Sequence, residues 1–139
     1  MYQVSSMAVI RKAALAVFKN KKMLQVRSNS QDEVFYTLGG KYLPGEDDIA
    51  CLKREIREEI GCEVDESSLK FIKEFEDEAH GKQGILNVRL YSGELIGEPK
   101  PSSEIVEIGY FDSNSDPDKL SVIAKRTILP YLKVQGYIN

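Results

Sequence analysis

The chain has 139 residues, 42% of them hydrophobic, and carries 19 Lys and Arg against 22 Asp and Glu for a formal net charge of -3. That length suits one core and is short for two, so residues 1–139 are expected to form one domain. No basic run could track a phosphate backbone, no apolar stretch approaches the roughly 18 residues of a membrane span, and no secretory pattern opens the chain; a stable nucleic-acid partner and a membrane are not expected, and the protein reads as cytoplasmic.

In chain order, Ala13 to Phe18 and Met23 to Val26 are short apolar segments separated by the polar stretch Lys19, Asn20, Lys21, Lys22, which argues a hairpin or two neighbouring strands. Phe35 to Leu38 reads as a short strand ending at Gly39 and Gly40, where missing side chains allow close approach of backbone or ligand. Asp47 to Ile60 is a predicted helix. Phe71 to Phe75 and Ile85 to Tyr91 read as strands around an acidic loop, Glu76 to Gly84, and "GELIGEPKP", from Gly93 to Pro101, reads as a connector near a pocket. Ile105 to Phe111 is a further strand. Asp116 and Pro117 resemble an N-cap with proline at the first helical position, Leu120, Ile123, Thr127 and Tyr131 follow at helical spacing, and Pro130 is expected to kink or end that helix. Strands interleaved with two well-separated helices argue an α/β fold, a mixed sheet covered by helices. Cys51 and Cys62 lack zinc-site or redox spacing, and His80 alone makes no histidine cluster; it reads as an exposed loop residue.

Ile49, Leu52, Ile56 and Ile60 recur at three- and four-residue intervals, so one stripe of the Asp47–Ile60 helix faces the core. At about 100° per residue from Ile49, Glu58 falls at about 180°, Glu55 at about 240° and Glu59 at about 280°, a carboxylate sector beside the apolar stripe. Cys51, at about 200°, is assigned to packing. Like charges three and four apart repel, and desolvation strengthens the repulsion. A hard divalent cation, Mg²⁺ or Mn²⁺, reverses that sign. The plain alternative is a solvated acidic face offset by Arg54 and Arg57. Gly39, Gly40 and Glu46 beside the helix favour the cation, with Glu46 able to reach Arg54 or to order a metal shell.

These residues resemble a known family. Gly40, five residues, Glu46, seven residues, then Arg54, Glu55, Ile56, Arg57, Glu58, Glu59, Ile60 and Gly61 match the Nudix box, eight specified positions in the 23 residues from Gly40 to Cys62. Cys62 replaces the final aliphatic with another small residue that tolerates burial. Leu43, where many members carry an acidic residue, reads as a packing variation. The resemblance implies an α/β/α sandwich with a mixed β-sheet, and a loop–helix–loop unit in which the Gly39 carbonyl and the carboxylates of Glu55, Glu58 and Glu59 hold metal. It implies hydrolysis of a nucleoside diphosphate linked to another group, first of all a nucleoside triphosphate cut to monophosphate and pyrophosphate.

For the chemistry, Glu55, Glu58, Glu59 and a loop glutamate, Glu104, are all candidate bases, with Arg54 in the same block; Glu76 and Glu78 are weaker competitors. Arg27 and Tyr36 are the candidate substrate contacts, by charge and by stacking. Hydrolysis of ADP-ribose, nucleotide sugars or dinucleoside polyphosphates, or a non-catalytic nucleotide-binding module, stand as alternatives. A homodimer is left open.

Overall fold

The computed structural model describes residues 8–29, 33–79 and 84–139. His80 lies outside them. Strand β1 (Val9–Ala16) pairs antiparallel with β5 (Gly39–Lys41) on one edge and parallel with β7 (Ile85–Ile96) on the other, and β7 pairs antiparallel with β6 (Glu63–Glu78). The sheet is therefore mixed, in the order β5-β1-β7-β6. A second sheet is built on β3 (Lys22–Ser28), which pairs antiparallel with β2 (Phe18–Lys19), β4 (Tyr36–Thr37) and β8 (Ile105–Phe111).

The hairpin expected around Lys19–Lys22 exists, but its first arm is β2. Val17 breaks the strand, so β1 joins the mixed sheet while β2 turns into the other. Asn20 and Lys21 both take positive φ, 52° and 60°, the left-handed pair of a two-residue hairpin turn. Two strands run further than sequence pattern indicates. β6 begins at Glu63 and passes through Glu76 to Glu78, with two register shifts against β7 that absorb its irregular polarity. β7 continues through Gly93 to Ile96, so only the stretch after it connects to β8.

Period-two alternation sorts side chains onto two cores. Ala14 and Ala16 of β1, Met23 of β3 and Val88 and Leu90 of β7 face one side, with Ile123, Ala124, Ile128, Leu129 and Leu132 of the C-terminal helical segment. Ala13, Leu15, Leu24 and Val26 face the other, against Cys51, Leu52, Ile56 and Ile60 of α1 (Asp48–Ile60). Each fully buried Leu or Ile contributes about 1.5–3 kcal/mol through removal from water. The result is the α/β/α sandwich that the box resemblance implies.

At the C-terminal end, Asp116 caps only a three-residue 3₁₀ turn, Pro117–Lys119. The helical run starts at 122, widens into a π segment over Ala124–Ile128, and continues as α2 (Leu129–Val134) with Pro130 inside it. Pro130 neither ends the helix nor stands alone in a regular one. The N–H of Leu129 bonds the Ala124 carbonyl five residues back, and this wider turn lies directly before the ring that a regular α-turn would exclude.

Candidate active site

Helix α1 is fixed at both ends before its carboxylates are considered. Asp47 caps it through the Ala50 N–H at 2.8 Å, and Gly61 closes it in the left-handed conformation with its N–H on the Arg57 carbonyl. Asp48 in the first turn accepts from the Tyr42 hydroxyl at 2.6 Å, from Arg89 Nε at 2.8 Å and from the Tyr91 hydroxyl, which ties the helix N-terminus to β7; these donors hold its carboxyl below the ordinary range against the opposing effect of burial. At the other end, the N–H groups of Ser102 and Lys100 bond the otherwise unpaired carbonyls of Glu59 and Ile60, both at 3.0 Å. The connector between β7 and β8 is thereby pinned to the helix just before Glu104.

The buried face of α1 is not the stripe centred on its isoleucines. Ile49 is 40% exposed, whereas Cys51 and Glu59 are buried with Leu52, Ile56 and Ile60. On the helical wheel this arc runs from about 200° to about 20° through 280°, so Glu59 and Glu55 sit within the packed sector rather than on its flank. Cys51 packs as expected; burial pushes its thiol up to about 11, and it donates to the Gly40 carbonyl at 3.3 Å.

Glu59 is 8% exposed and its Oε1 accepts the Gly39 N–H at 2.8 Å. Burial pushes its carboxyl up to about 8; Glu55 and Glu104 add to the rise, while the Gly39 bond and Lys12 oppose it. Gly39 and Gly40 do not end a strand; they form β5 itself. A Cβ on Gly39 would lie 2.2 Å from the Ala13 carbonyl oxygen, and its φ is +139°. One on Gly40 would lie 2.4 Å from the Glu55 carboxyl carbon. Sheet pairing explains the first glycine and the seat of Glu55 explains the second.

Arg54 is the organiser of the box. Its Nε and Nη2 meet Glu46 at 2.7 and 2.9 Å, its Nη1 meets Glu55 at 2.8 Å and Glu58 at 3.2 Å, and Nη2 also donates to the Lys41 carbonyl. Glu46, pulled down to about 2 by Arg54 and by the Leu43 N–H, therefore serves the arginine, the first of the two roles open to it. Leu43 is 51% exposed, so its part is that N–H and not packing.

One cavity of about 410 Å³ gathers Tyr36, Gly39, Gly40, Glu55, Glu59 and Glu104. Glu58, Arg54 and Arg27 are not in its lining. The side chain of Glu58 is 54% exposed and turned to Arg54; Arg27 pairs with Glu107, its cross-strand neighbour on β8, at 3.0 Å. Tyr36 lies at the site, but Lys12 Nζ stands 5.4 Å from its ring centroid, so that ring contacts a cation where stacking on a base was expected. Burial foremost, then the field of Glu59, raises the Tyr36 hydroxyl to about 12, which keeps it a neutral donor. Lys12 is the site residue that sequence reasoning missed. Its only signal is a Lys that, with Arg11, sits inside a strand whose other residues are apolar.

Among the described residues, no three acidic, His or Cys side chains gather in metal-holding geometry. The donors at the cavity nonetheless suit a hard ion. Glu55 and Glu59 present oxygen only, and the burial and neighbouring carboxylates that push Glu59 up, only partly opposed by Lys12, are effects a divalent cation would offset.

Among the described residues no helix is long and apolar enough to cross a membrane. A family model, the NUDIX domain, matches residues 9–131. No curated protein matches the sequence. Among solved structures, the MutT NUDIX hydrolase from Burkholderia pseudomallei is similar with a TM-score of 0.73 at 19% identity, covering 88% of this chain and 97% of that one. The E. coli dihydroneopterin triphosphate pyrophosphohydrolase gives 0.68 at 14%, over 91% and 96%. An ADP-ribose pyrophosphatase from Streptococcus suis gives 0.61 at 19%, over 91% and 90%. These likenesses lie in the fold; the family match over 9–131, with the box residues held as one charge network around a glycine strand, makes the chain a member of the Nudix hydrolase family.

Proposed function

We propose that the protein hydrolyses a nucleoside triphosphate to the monophosphate and pyrophosphate. The observation that carries this reading is one cavity shared by Glu55, Glu59 and Glu104, whose lining also includes the aliphatic Ile10, Val34, Leu86, Val88 and Ile123. At about 410 Å³ it sits near the lower end of the usual range for ligand pockets, room for one nucleoside rather than the two of a dinucleotide. The E. coli and Burkholderia structures and the Streptococcus structure divide between triphosphate, MutT and ADP-ribose names, so the leaving group rests on cavity size alone.

Glu55, Glu58 and Glu59, with the Gly39 carbonyl, would hold Mg²⁺ or Mn²⁺. Such an ion, when bound, neutralises phosphate oxygens and makes water a better nucleophile. The chain's own residues do the rest. Arg54 holds Glu55 and Glu58 in place through its 2.8 and 3.2 Å bonds. Lys12, near enough to Glu59 to lower its pKa, brings positive charge to the same wall and takes the phosphate-facing role that Arg27, engaged with Glu107, leaves. Glu104, at the cavity rim and close enough to act electrostatically on Glu59 and Tyr36, accepts the proton as a water oxygen attacks phosphorus and the bond to the leaving phosphate oxygen breaks.

The test is product identity. Purified protein with Mg²⁺ or Mn²⁺ is offered ordinary and oxidised triphosphates, dinucleoside polyphosphates, ADP-ribose and nucleotide sugars. Monophosphate plus pyrophosphate from a triphosphate is expected; selective cleavage of a sugar- or dinucleotide-linked substrate sinks the triphosphate assignment, and nucleotide binding without any product sinks the enzymatic one.

A further inference from the structure

Two acids stand at the start of α1 and they do different things. Asp47 makes the cap, its carboxylate taking the Ala50 N–H at 2.8 Å. The Asp48 carboxylate instead accepts side-chain donors from outside the helix: the Tyr42 hydroxyl at 2.6 Å from the preceding loop, and Arg89 Nε at 2.8 Å and the Tyr91 hydroxyl from β7. The β7 donors are themselves held. Arg89 Nη1 bonds Glu74 of β6 at 2.8 Å, its guanidinium lies 4.6 Å from the Phe71 ring centroid, and the Tyr91 ring meets Phe71 edge-on at 5.3 Å.

This anchor is in register with the seat of Glu55. Arg89 stands opposite Ala13 of β1, which stands opposite Gly40 of β5, and the missing Cβ of Gly40 is what admits the Glu55 carboxylate. Two strand spacings make that row about 10 Å long, and the seven residues from Asp48 to Glu55 rise about 10.5 Å along the helix, so the two carboxylates fall at the two ends of one row. The azimuth agrees as well. At about 100° per residue, Glu55 and Glu59 lie about 20° to either side of Asp48, so the three carboxylates share one line of the helix. Side chains reach about 5–6 Å from a helix axis, so a rotation of about 10° carries Glu55 and Glu59 sideways by about 1 Å, several times the tolerance of about 0.2 Å on a metal–ligand distance.

We propose that Asp48 is a positioning residue for metal binding: its bonds to Tyr42, Arg89 and Tyr91 fix the rotation of α1 over the sheet and so aim Glu55 and Glu59 at a common ion. The inference rests on the reading above in taking those two glutamates as ligands. A carboxylate that only secured the end of the helix could occupy any side of it; one that sets the aim must share the line of the ligands, as Asp48 does.

The test is direct binding of Mn²⁺ to the nucleotide-free protein, read from the electron paramagnetic resonance signal of the free ion, with Tm recorded beside it. Asp48→Asn keeps the size of the side chain and loses the charge that holds Arg89, and it should weaken Mn²⁺ binding about tenfold or more. Tyr91→Phe keeps the other two donors; it should give a smaller loss in the same direction, and it decides the matter if Asp48→Asn does not fold. Asp47→Ala is the control for plain loosening of the same helix end, and should lower Tm with Mn²⁺ affinity unchanged. Unchanged affinity in folded Asp48→Asn, or an equal loss in Asp47→Ala at the same fall in Tm, overturns the proposal and leaves the metal reading intact. A wild type that binds no Mn²⁺ overturns both. Weakened binding in Asp48→Asn alongside a turnover panel that yields no product from any triphosphate would reject the triphosphate reading and leave this assignment standing.

Discussion

Gly40→Ala isolates the seat of Glu55 from the stability of the fold. The added Cβ would stand 2.4 Å from the Glu55 carboxyl carbon and 2.6 Å from each of its oxygens, where ordinary contact begins near 3.4 Å, so the carboxylate must withdraw by about 1 Å. Nothing in the backbone resists the alanine, because Gly40 does not occupy positive φ. Withdrawal strains the 2.8 Å charge-assisted bond from Arg54, a loss of up to about 1.5–3 kcal/mol, and the stiffer unfolded chain returns about 0.4–1 kcal/mol, leaving a net loss of at most about 2–3 kcal/mol. A misplacement of about 1 Å at reacting groups lowers rate about 100-fold. The assay pairs kcat/KM on the best triphosphate with a thermal melt. Gly39→Ala is the control of opposite kind, since its Cβ meets backbone atoms at 2.2 and 2.7 Å at a φ of +139°, and it should unfold the protein or lower Tm sharply. Folded Gly40→Ala protein with undiminished kcat/KM would refute the placement of Glu55 in the chemistry.

Glu59→Gln should raise the Mg²⁺ concentration for half-maximal activity about 10- to 100-fold, checked by metal titration, and a chelator should abolish turnover until Mg²⁺ is restored. Arg54→Lys replaces a fork that meets three carboxylates with a single point charge, and kcat should fall about tenfold or more while Glu46→Gln falls in parallel, measured on folded protein by initial rates. Asp77 of β6 accepts from Arg126 and Thr127 of the C-terminal helix, which hold its carboxyl below the ordinary range. Its contribution is thus complete above the unfolded value of about 3.9 and fades as pH falls through the lower folded value; Asp77→Asn should lower Tm by about 3–6 °C at neutral pH, with the gap to wild type closing in acid.

The box and its helix were legible because each position answers a local demand: an N-cap at Asp47, a glycine after Ile60, carboxylates at fixed spacing. What lay beyond reach was set by distant partners. Nothing near Gly39 in the chain shows that it joins a strand against Ala14, nor that Val17 is where the chain changes sheets. Pro130 inside a helix depends on the π turn before it, which no periodicity signals. Arg27 read as a candidate substrate contact, whereas its cross-strand neighbour Glu107 pairs with it, and Lys12 was missed because only the pairing of β1 with β5 and β7 puts it at the cavity.

Because the Ser102 N–H is bonded to the Glu59 carbonyl, and the Glu104 carbonyl receives the Asn29 N–H, the single residue between these anchors, Ser103, acts as a ruler from helix α1 to Glu104, the proposed proton acceptor. Lengthening the chain upstream of Lys100 adds slack that the ruler does not feel. A single residue inserted between Ser102 and Glu104 moves the acid without moving the helix. Loop exchange that starts before Lys100 therefore transplants as a cassette, whereas one cut two residues later breaks the instrument.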